Sequence, residues 1–585
     1  MDKYIEKFDS IEVESNVKID AVHVKRNENN IDVHEVKIKW DRGTTNDKSY
    51  ASIKILLPMR RSKLRWTPYC QLDKAMRSTW MGTAKFNTML AVDCPVTCVY
   101  DADDCNEYTV ALSDVKRNIE IFSGYEENGA MFAFRGVVML CELGTLNSYT
   151  FKVRVDRNNE YIGKTLDRTR KWWEEILNIE PMNVPEEAKL PIYSTWYSYH
   201  QDITDESIEK EARLASDLGM KSIIVDDGWQ LDTCGGGYGY TGDWNVVPSK
   251  IKDMKSHVDS VHRAGLKYIL WFSVPFVGYF SDLWDSVCDK VLYKNDGLKA
   301  AVLDPRYPEI RRYLIDKYKE FAVEYGIDGF KLDFIDSFYT ANEPPKTDDM
   351  DYEFVCDAVE RLMTDVKEEL SKINPDILIE FRQRYTGPVI RKFGNMLRVG
   401  DCARDGISNR VGITDIRMLA GNTAVHSDMI IFDTRESVED AAWQIINSVF
   451  GVIQYSVRLE DLNPEQLKMS RFWLNFSAEN KDILLNSEYI AHEPHCNYPI
   501  IEAFNDKERI AAVYARNKIL PVDGRRTTII NATPDSRIYT ESDAEREAKI
   551  TILNCMGDKV RSEIVKISRG VNVIEVPKCG LVVIE

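Results

Sequence analysis

The sequence predicts a multidomain protein of the α/β plus β class: an N-terminal β-sandwich, a central (β/α)8 or TIM barrel, and a small antiparallel β-domain at the C-terminus. Two observations predict this plan. The first and last parts of the chain alternate apolar and polar residues, which is typical of half-buried strands. The middle part alternates short apolar strands with amphipathic helices, in eight units over about 300 residues. A doubly wound sheet has the same local pattern, so the count alone favours the barrel.

Residues 1–163 are predicted to form the β-sandwich. Segments such as Val33–Trp40 and Tyr149–Val155 alternate in polarity, and turn residues separate them. A helical run from Lys164 to Ile179 leads to a boundary rich in proline. We therefore interpret residues 164–189 as a helical linker.

The barrel is predicted over residues 190–495 and the C-terminal β-domain over residues 496–585. Helical patterns such as Pro308–Glu324 separate the barrel strands, and alternation returns in segments such as Val571–Val576. The predicted barrel strands are Ile192–Trp196, Ser222–Asp226, Lys267–Phe272, Gly329–Phe334, Ile377–Phe381, Met396–Val399, Val425–Ile431 and Ile453–Val457.

The composition excludes several classes of function. The chain has 585 residues, and 76 Lys and Arg against 94 Asp and Glu give a net charge of −18, which opposes nucleic-acid binding. No apolar stretch approaches the ~20 residues of a membrane helix. The first residues lack the apolar core of a signal peptide, so we expect a cytoplasmic location and no membrane partner. The 12 scattered cysteines are typical of reduced, buried thiols.

Polar side chains collect at the C-terminal ends of the predicted barrel strands, where barrels of this kind place their functional sites. Buried charges need partners, so a polar pocket explains the cluster. Carboxylates bind paired hydroxyls, Trp rings pack on the apolar face of a pyranose, and two carboxylates flanking a sugar cleave its glycosidic bond. Lys331 lies two residues before Asp333 on the same strand face, so we expect its charge to keep Asp333 ionised. The strand-end residues are Trp196, Asp226, Asp227, Trp271, Lys331, Asp333, Glu380, Arg382, Arg384, Arg398, Asp401, Asp405, His426 and Asp428.

Ordered motifs in the barrel zone carry a family resemblance. The zone contains five ordered blocks, which are Val225–Trp229, Thr241–Trp244 with Pro248 and Lys250 after it, Gly265–Phe272, Leu303–Arg311 and Tyr325–Asp333. With these blocks, the chain between Ile192 and Ala478 resembles the catalytic barrel of the glycoside hydrolase clan D α-galactosidases, closest to family 36, which includes the melibiases and raffinose-synthase relatives. The resemblance covers about half the chain by motif, and the three-zone plan is similar to that family as well.

The resemblance implies a role for each matching position. Asp333 falls on the nucleophile and Asp401 on the acid/base, with Arg398 as a ligand of a sugar hydroxyl. The implied outcome is retention of configuration through a covalent galactosyl-enzyme. The resemblance also implies that Asp226 and Asp227 bind the galactose 4- and 6-hydroxyls, and that Lys331 and Trp271 contact the sugar. Position at the strand ends adds Trp196, Asp405 and His426 as substrate-binding candidates, with core packing or an ordinary hydrogen bond as the alternative for Trp196 and His426.

The chain departs from the family pattern in two places. Glu380–Gly387 replaces a Cys-x-x-Gly-Gly-x-Arg type segment near the sugar 2-position, which leaves N-acetylgalactosamine or another α-sugar open. Its charged residues form either an internal ion-pair set or part of the site. Arg398–Asp405 replaces a Ser-Asp-Asn-Thr-Asp block, so Asp405 is an alternative acid/base. Gln230 after the Asp-Asp-Gly-Trp block resembles the raffinose-synthase relatives, which transfer galactose.

We therefore expect an α-galactosidase that acts on small oligosaccharides. The alternatives are an α-N-acetylgalactosaminidase or other α-glycosidase, a raffinose-synthase-like galactosyl transferase, and a sugar-binding protein without catalysis. No metal or organic cofactor is implied, because two carboxylates suffice for this chemistry. The expected partner is a small carbohydrate, and assembly of identical chains is left open. We also expect a raised pKa for the acid/base and a pocket wall from the sandwich, with Trp66 and Trp80 as candidates.

Overall fold

The computed structural model of the chain describes residues 3–61, 64–68, 72–231, 237–341, 343–382, 384–385 and 387–585. Over these residues, two N-terminal sheets are followed by a parallel barrel and then by C-terminal sheets. The predicted fold class is confirmed. The residue boundaries proposed between the zones stay predictions.

The N-terminal strands are Tyr4–Phe8 (β1), Ile11–Ser15 (β2), Ile19–Glu28 (β3), Ile31–Trp40 (β4), Tyr50–Pro58 (β5), Leu64–Trp66 (β6), Lys85–Thr88 (β7), Val96–Tyr100 (β8), Asn106–Leu112 (β9), Ile119–Glu126 (β10), Met131–Met139 (β11) and Ser148–Asp156 (β12). In the described part of the chain they form two sheets, ordered β1-β2-β5-β11-β10-β7 and β3-β4-β12-β9-β8-β6. In β4, Val36, Ile38 and Trp40 are buried while the lysines between them are exposed. This alternation buries one face of the strand in the sandwich core.

The elements of the barrel zone, in chain order, are α1 (Ile162–Leu177), β13 (Ile192–Ser194), α2 (Trp196–Tyr199), α3 (Asp205–Asp217), β14 (Ser222–Val225), α4 (Met254–Arg263), β15 (Lys267–Ser273), β16 (Phe276–Gly278), α5 (Trp284–Val287), β17 (Val291–Asn295), β18 (Ala300–Leu303), α6 (Pro308–Glu320), β19 (Gly329–Asp333), α7 (Val355–Ile373), β20 (Leu378–Arg382), β21 (Met396–Arg398), α8 (Gly406–Ala420), β22 (Ala424–His426), α9 (Val438–Ile446), β23 (Gln454–Tyr455), α10 (Pro464–Glu479) and α11 (Lys481–Asn486). The structure has no helix, within the described ranges, that is long and apolar enough to cross a membrane.

Each predicted barrel strand is present, and several are shorter than predicted. Among the described residues the parallel sheet runs β23-β13-β14-β15-β19-β20-β21-β22. A parallel bridge between His426 and Val452 joins its two edge regions, so the sheet is nearly a closed barrel. Strands β16, β17 and β18 form a small separate sheet after β15.

The barrel interior changes from apolar to polar along its strands. Its floor is an apolar cluster that includes Ile192, Ile224, Ile269, Leu378, Met396, Ala424 and Val452. Two residues further along a strand the side chain returns to the same face. Two positions beyond four of the floor residues, the side chains are polar or charged and buried: Glu380, Arg398, His426 and Gln454. The apolar floor excludes water from below, and polar groups above it must find partners among themselves or in a ligand.

The C-terminal strands are Glu488–His492 (β24), Ile500–Phe504 (β25), Glu508–Val513 (β26), Ile519–Pro521 (β27), Arg526–Asn531 (β28), Arg537–Ser542 (β29), Arg546–Leu553 (β30), Lys559–Ile567 (β31), Gly570–Glu575 (β32) and Leu581–Ile584 (β33). As far as the chain is described, they form sheets ordered β24-β25-β26-β28-β33-β30-β31 and β27-β29-β32. Two pairs, β26 with β28 and β27 with β29, are parallel, and the other pairs are antiparallel.

A buried carboxylate joins the sandwich, the barrel and the C-terminal sheets. Asp415 lies in α8 of the barrel. Its Oδ2 accepts from Lys74 Nζ at 2.6 Å, and its Oδ1 accepts from Trp66 Nε1 at 2.7 Å and from the Tyr498 hydroxyl at 2.5 Å. Lys74 and Asp415 are both buried. Four side chains from three parts of the chain thus satisfy one another away from water.

Replacement of the junction carboxylate should destabilise the protein. In Asp415→Ala, the buried Lys74 ammonium loses its ion-pair partner at this junction. This loss should lower the free energy of unfolding by about 3–5 kcal/mol. We expect a clear fall in the thermal unfolding midpoint, measured by calorimetry. The exposed Asp348, changed to Ala, is the matched control and should leave the midpoint in place. Equal midpoints for the two variants would contradict the junction.

Candidate active site

Most of the predicted site residues meet at the C-terminal mouth of the barrel. Lys331 Nζ donates to Asp226 Oδ2 at 2.6 Å, and both side chains are buried. The Lys331 ammonium therefore pairs with Asp226, and its expected effect on Asp333 stays a prediction. Lys331 and Asp333 share a face of β19, but the long stem of Lys331 carries its charge to the end of β14 instead.

Three donors hold the carboxylate of Asp333. Its Oδ1 accepts from Arg382 Nε at 2.5 Å and from the Phe334 amide at 2.8 Å. Its Oδ2 accepts from Trp271 Nε1 at 2.9 Å. These contacts come from two neighbouring strands and from the chain just after β19, so they fix the orientation of a carboxylate that is nearly inaccessible. Trp271 is buried in the barrel and also holds the Asp333 carboxylate.

The residue after Asp333 has an unusual backbone conformation. Phe334 has a φ of +62°, in the left-handed region that bulky residues rarely adopt. Its ring packs against Tyr238 and Phe276, and the Arg382 guanidinium carbon lies 5.0 Å from its centre. Backbone strain of this kind clusters at functional sites, where the surrounding packing maintains it. Here it turns the chain sharply beside Asp333.

Two amides hold Asp227. Gln201 Nε2 donates to its Oδ2 at 2.7 Å, and Gln230 Nε2 donates to its Oδ1 at 2.6 Å. Burial raises the pKa of Asp227 to about 6, although the two amide donors act in the opposite direction. Gln201 was missed in the sequence, where it lies in an irregular segment after the first barrel strand and carries no pattern.

Arg398 connects the ends of β20, β21 and β22. Its Nη2 donates to Asp401 Oδ1 at 2.9 Å, and its Nη1 forms a close contact with Asp428 Oδ1. Asp428 also accepts from the Cys402 amide at 2.7 Å and from the Tyr197 hydroxyl at 3.0 Å. The sequence placed Asp428 among the polar strand-end residues but assigned it no catalytic or substrate-binding role.

Arg382 links Asp333 to Asp401. Besides its bond to Asp333, its Nη1 lies 3.4 Å from Asp401 Oδ2. Partial burial acts to raise the pKa of Asp401, but the charges of Arg398 and Arg382 outweigh it and lower that pKa to about 2. The expectation of a raised pKa at this position is therefore wrong for the unliganded protein. The guanidinium groups of Arg398 and Arg382 decide the sign, and the sequence did not predict their contact with Asp401.

Three predicted substrate contacts lie apart from this cluster or at its edge. His426 is fully buried, and its ring nitrogens face the Ala188 carbonyl at 2.8 Å and Gln454 Nε2 at 3.3 Å. Burial lowers its pKa to about 4, so it is a neutral residue of the barrel interior. Asp405 is the N-cap of α8 and accepts from the Ser408 amide at 3.0 Å. Trp196 is the first residue of α2, not the end of a strand, and is half-buried.

The end of β20 joins the site to the sandwich. Glu380 contacts Gln454 inside the barrel, and Arg384 Nε donates to Asp93 Oδ2 of the sandwich at 2.9 Å. The Asp93 amide donates in return to the Arg384 carbonyl at 2.8 Å. The predicted wall residue Trp66 is instead buried at the junction with Asp415, whereas Trp80 is exposed. Gln383 and Thr386 of the departing segment lie outside the described residues.

Comparisons with known proteins agree with the sequence resemblance. Residues 178–386 match the model of the Melibiase family. The chain is 23% identical over 167 residues to alpha-galactosidase Mel36A of Lactobacillus acidophilus, which is 25% of this chain and 22% of that protein. It is 25% identical over 199 residues to the bifunctional alpha-galactosidase/sucrose kinase AgaSK of Mediterraneibacter gnavus, which is 32% of this chain and 20% of that protein. The matches thus span about a fifth of these relatives' lengths.

The fold likeness extends further than the sequence likeness. The structure of the family 36 alpha-galactosidase AgaA of Geobacillus stearothermophilus, in complex with 1-deoxygalactonojirimycin, aligns with a TM-score of 0.64 at 13% identity and covers 100% of this chain and 84% of that one. The alpha-galactosidase of Lactobacillus brevis aligns with a TM-score of 0.64 over 100% and 83% of the chains, at 13% identity. TtGalA of Thermus thermophilus, in complex with p-nitrophenyl alpha-D-galactopyranoside, aligns with a TM-score of 0.54 at 16% identity and covers 81% of this chain and 96% of that one.

At such identities the aligned structures show the fold alone, and the family match rests on the barrel segment. The melibiase match includes β13, β14, β15, β19 and β20, and thus Asp226, Asp227, Lys331 and Asp333. The predicted resemblance is confirmed, and over residues 178–386 the chain is similar to the Melibiase family.

Proposed function

We propose that the protein is a retaining α-glycosidase, most directly an α-galactosidase that hydrolyses terminal α-linked galactose from small oligosaccharides. The proposal rests on one observation above all: Asp333 and Asp401 both contact the Arg382 guanidinium at the mouth of the barrel. A close pair of carboxylates is the equipment of retaining glycoside cleavage. The relatives' complexes with 1-deoxygalactonojirimycin and p-nitrophenyl alpha-D-galactopyranoside support the choice of sugar.

Asp333 is the proposed nucleophile and Asp401 the proposed acid/base. An oxygen of Asp333 forms a bond to the anomeric carbon while the glycosidic bond breaks. The electron pair of the glycosidic bond stays on the leaving oxygen. Asp401 gives that oxygen its proton. A water molecule then attacks the anomeric carbon and gives a proton back to Asp401, which breaks the ester to Asp333 and releases the sugar with its original configuration.

The proton on Asp401 needs an explanation, because its pKa is about 2 in the unliganded protein. At pH 7 only roughly 10⁻⁵ of such a group is protonated. We propose that the bound sugar separates Arg382 from Asp401, whose 3.4 Å contact is the weaker of the two that Arg382 makes with this pair. Loss of that cation raises the pKa of Asp401 when the leaving oxygen is beside it.

Asp226 and Asp227 are the proposed ligands of the sugar 4- and 6-hydroxyls, with Lys331 and Trp271 beside them. Lys331 donates a hydrogen bond to Asp226, and the side-chain amides of Gln201 and Gln230 donate to Asp227. These bonds fix the orientation of both carboxylates. Fixed acceptors of this kind discriminate sugars by hydroxyl configuration, since a missing hydroxyl leaves a buried acceptor without a donor. His426 and Asp405 are left out of the proposed sugar contacts.

Turnover of simple α-glycosides tests the sugar and the nucleophile together. We expect hydrolysis of p-nitrophenyl α-galactoside and a fall in kcat of roughly 10³-fold or more in Asp333→Ala, because the covalent step is lost. The α-glucoside, α-xyloside and α-N-acetylgalactosaminide are the comparison substrates. The proposal fails if Asp333→Ala keeps normal turnover on every α-galactoside tested.

Azide rescue separates the two carboxylates. In Asp333→Gly, azide should replace the nucleophile and give the β-galactosyl azide, because it attacks opposite the leaving group. In Asp401→Gly, azide should replace water in the second step and give the α-galactosyl azide. Asp405→Gly is the control and should form neither product, since Asp405 caps α8. An α-azide from Asp405→Gly alone would move the acid/base role to Asp405.

The pH dependence tests the role of Arg382. Since kcat/KM reports ionisation in the free enzyme, it should fall as the pH rises through neutrality, because protonated Asp401 becomes scarcer above its low pKa. Removing one cation in Arg382→Gln should raise that pKa and move the falling limb to higher pH. Arg384→Gln, which loses a contact to Asp93 instead, should leave the limb in place. A flat wild-type profile, or a limb that Arg382→Gln does not move, would contradict the assignment.

A second candidate keeps the mechanism and changes the sugar. Arg382 contacts both carboxylates from the strand whose end departs from the family pattern. That departure lies in the segment expected near the sugar 2-position, so N-acetylgalactosamine is the first alternative sugar. Cleavage of that glycoside alone in the substrate panel would select this candidate. Product analysis with excess acceptor sugar would distinguish hydrolysis from galactosyl transfer.

A further inference from the structure

Two aromatic rings are exposed on the face of the barrel that carries the candidate active site. Tyr240 is 57% exposed and Phe280 is 53% exposed, and their ring centres lie 5.3 Å apart. Tyr240 follows β14 and Phe280 follows β16, so both belong to loops after the second and third barrel strands. Loops in this position surround the C-terminal mouth of a barrel. We call these two rings the aromatic platform.

The aromatic platform is continuous with the candidate active site. Tyr238, two residues before Tyr240, packs its ring near-parallel to Trp271 at 6.4 Å and edge-on to Phe334 at 5.2 Å. Trp271 donates to Asp333, and Phe334 follows it in the chain. Burial, with the charges of Asp227 and Asp333 next, raises the pKa of Tyr238. The segment that ends at the platform therefore begins beside the catalytic carboxylates.

Backbone hydrogen bonds hold the platform in place. The Phe280 amide donates to the Gly239 carbonyl at 2.8 Å, and the Gly278 amide donates to the Thr241 carbonyl at 2.8 Å. A Cβ on Gly278 would lie 2.2 Å from the Gly239 backbone, so only glycine permits this approach. The two loops are thus joined directly, and the rings are displayed on a preorganised base. Preorganised surfaces lose little conformational entropy when they bind.

The chemistry of the platform suits a sugar. Exposed rings offer apolar faces of the size of a pyranose, and Lys299 Nζ lies 5.8 Å from the centre of the Phe280 ring. A pyranose has an apolar C–H face, which can pack on these rings, and hydroxyl groups at its edge, which can accept hydrogen bonds from the Lys299 ammonium. Exposed aromatic surface next to a pocket is typical of a ligand-binding groove.

We propose that Tyr240 and Phe280 form an outer carbohydrate subsite, which binds a sugar unit of an oligosaccharide whose terminal residue occupies the site of Asp333 and Asp401. The inference rests on the proposed function and adds a preference for substrates longer than a monosaccharide glycoside. Part of the binding energy would then come from sugar units remote from the bond that breaks.

Kinetics on a short and a long substrate test the subsite. The substrates are p-nitrophenyl α-galactoside and the tetrasaccharide stachyose, and the variants are Tyr240→Ala, Phe280→Ala and the double variant. Loss of one stacking contact should raise KM for stachyose about 3- to 10-fold, with KM for the short substrate unchanged. Tyr240→Phe keeps the ring and should keep the wild-type KM. Tyr4→Ala, an exposed aromatic on β1 of the sandwich, is the matched control.

The outcomes separate this inference from the proposed function. Equal KM changes on both substrates, or none, would overturn the subsite while the activity stands. If no α-glycoside is hydrolysed, the proposed function fails, and calorimetric binding of stachyose to Asp333→Ala decides the subsite. Weaker binding after Tyr240→Ala in that background supports it, and equal or absent binding overturns it. A change in sedimentation mass without a change in KM would assign the platform to contact between chains and overturn the subsite.

Discussion

The barrel depends on one constraint: charges placed above an apolar floor must be neutralised inside the protein. Glu380, Arg398 and Gln454 stand two residues beyond floor positions, and water has no access to them from below. Leaving such groups unpaired costs several kcal/mol each. The strand ends therefore carry complementary charges, with Lys331 on Asp226 and Arg398 on Asp428. The same pairing fixes the side chains that a sugar would meet, so stability of the barrel and preorganisation of the site have one physical origin.

Arg382 shows what this pairing costs chemically. It orients Asp333, but together with Arg398 it also stabilises the charged form of Asp401. A proposed acid that is ionised at rest needs the substrate to change its surroundings. The two cations favour ionised Asp401 in the unliganded protein, whereas the proposed acid step requires protonated Asp401. Arg382, at the end of β20, thus influences the charge environment of both carboxylates.

The outer parts of the chain support this mouth from two sides. Asp93 of the sandwich binds the end of β20 through Arg384, two residues from Arg382. Asp415 ties α8, which begins just after the Asp401 segment, to the sandwich and to the C-terminal sheets. Both contacts lie within or beside elements that carry site residues. The flanking sheets therefore contribute to the geometry of the mouth and do more than cover the barrel.

The sequence by itself determined the three-zone fold, the eight barrel strands and the positions of Asp226, Asp227 and Asp333, because periodicity and strand-end position are local properties. It did not determine which charges meet. Lys331 reaches Asp226 across 105 positions of the chain, and Gln454 reaches Glu380 across 74. The same holds for Gln201 at Asp227, for the neutral, buried state of His426 and for the low pKa of Asp401. Each depends on the field and the hydrogen bonds of neighbouring strands, which only closure of the barrel brings together.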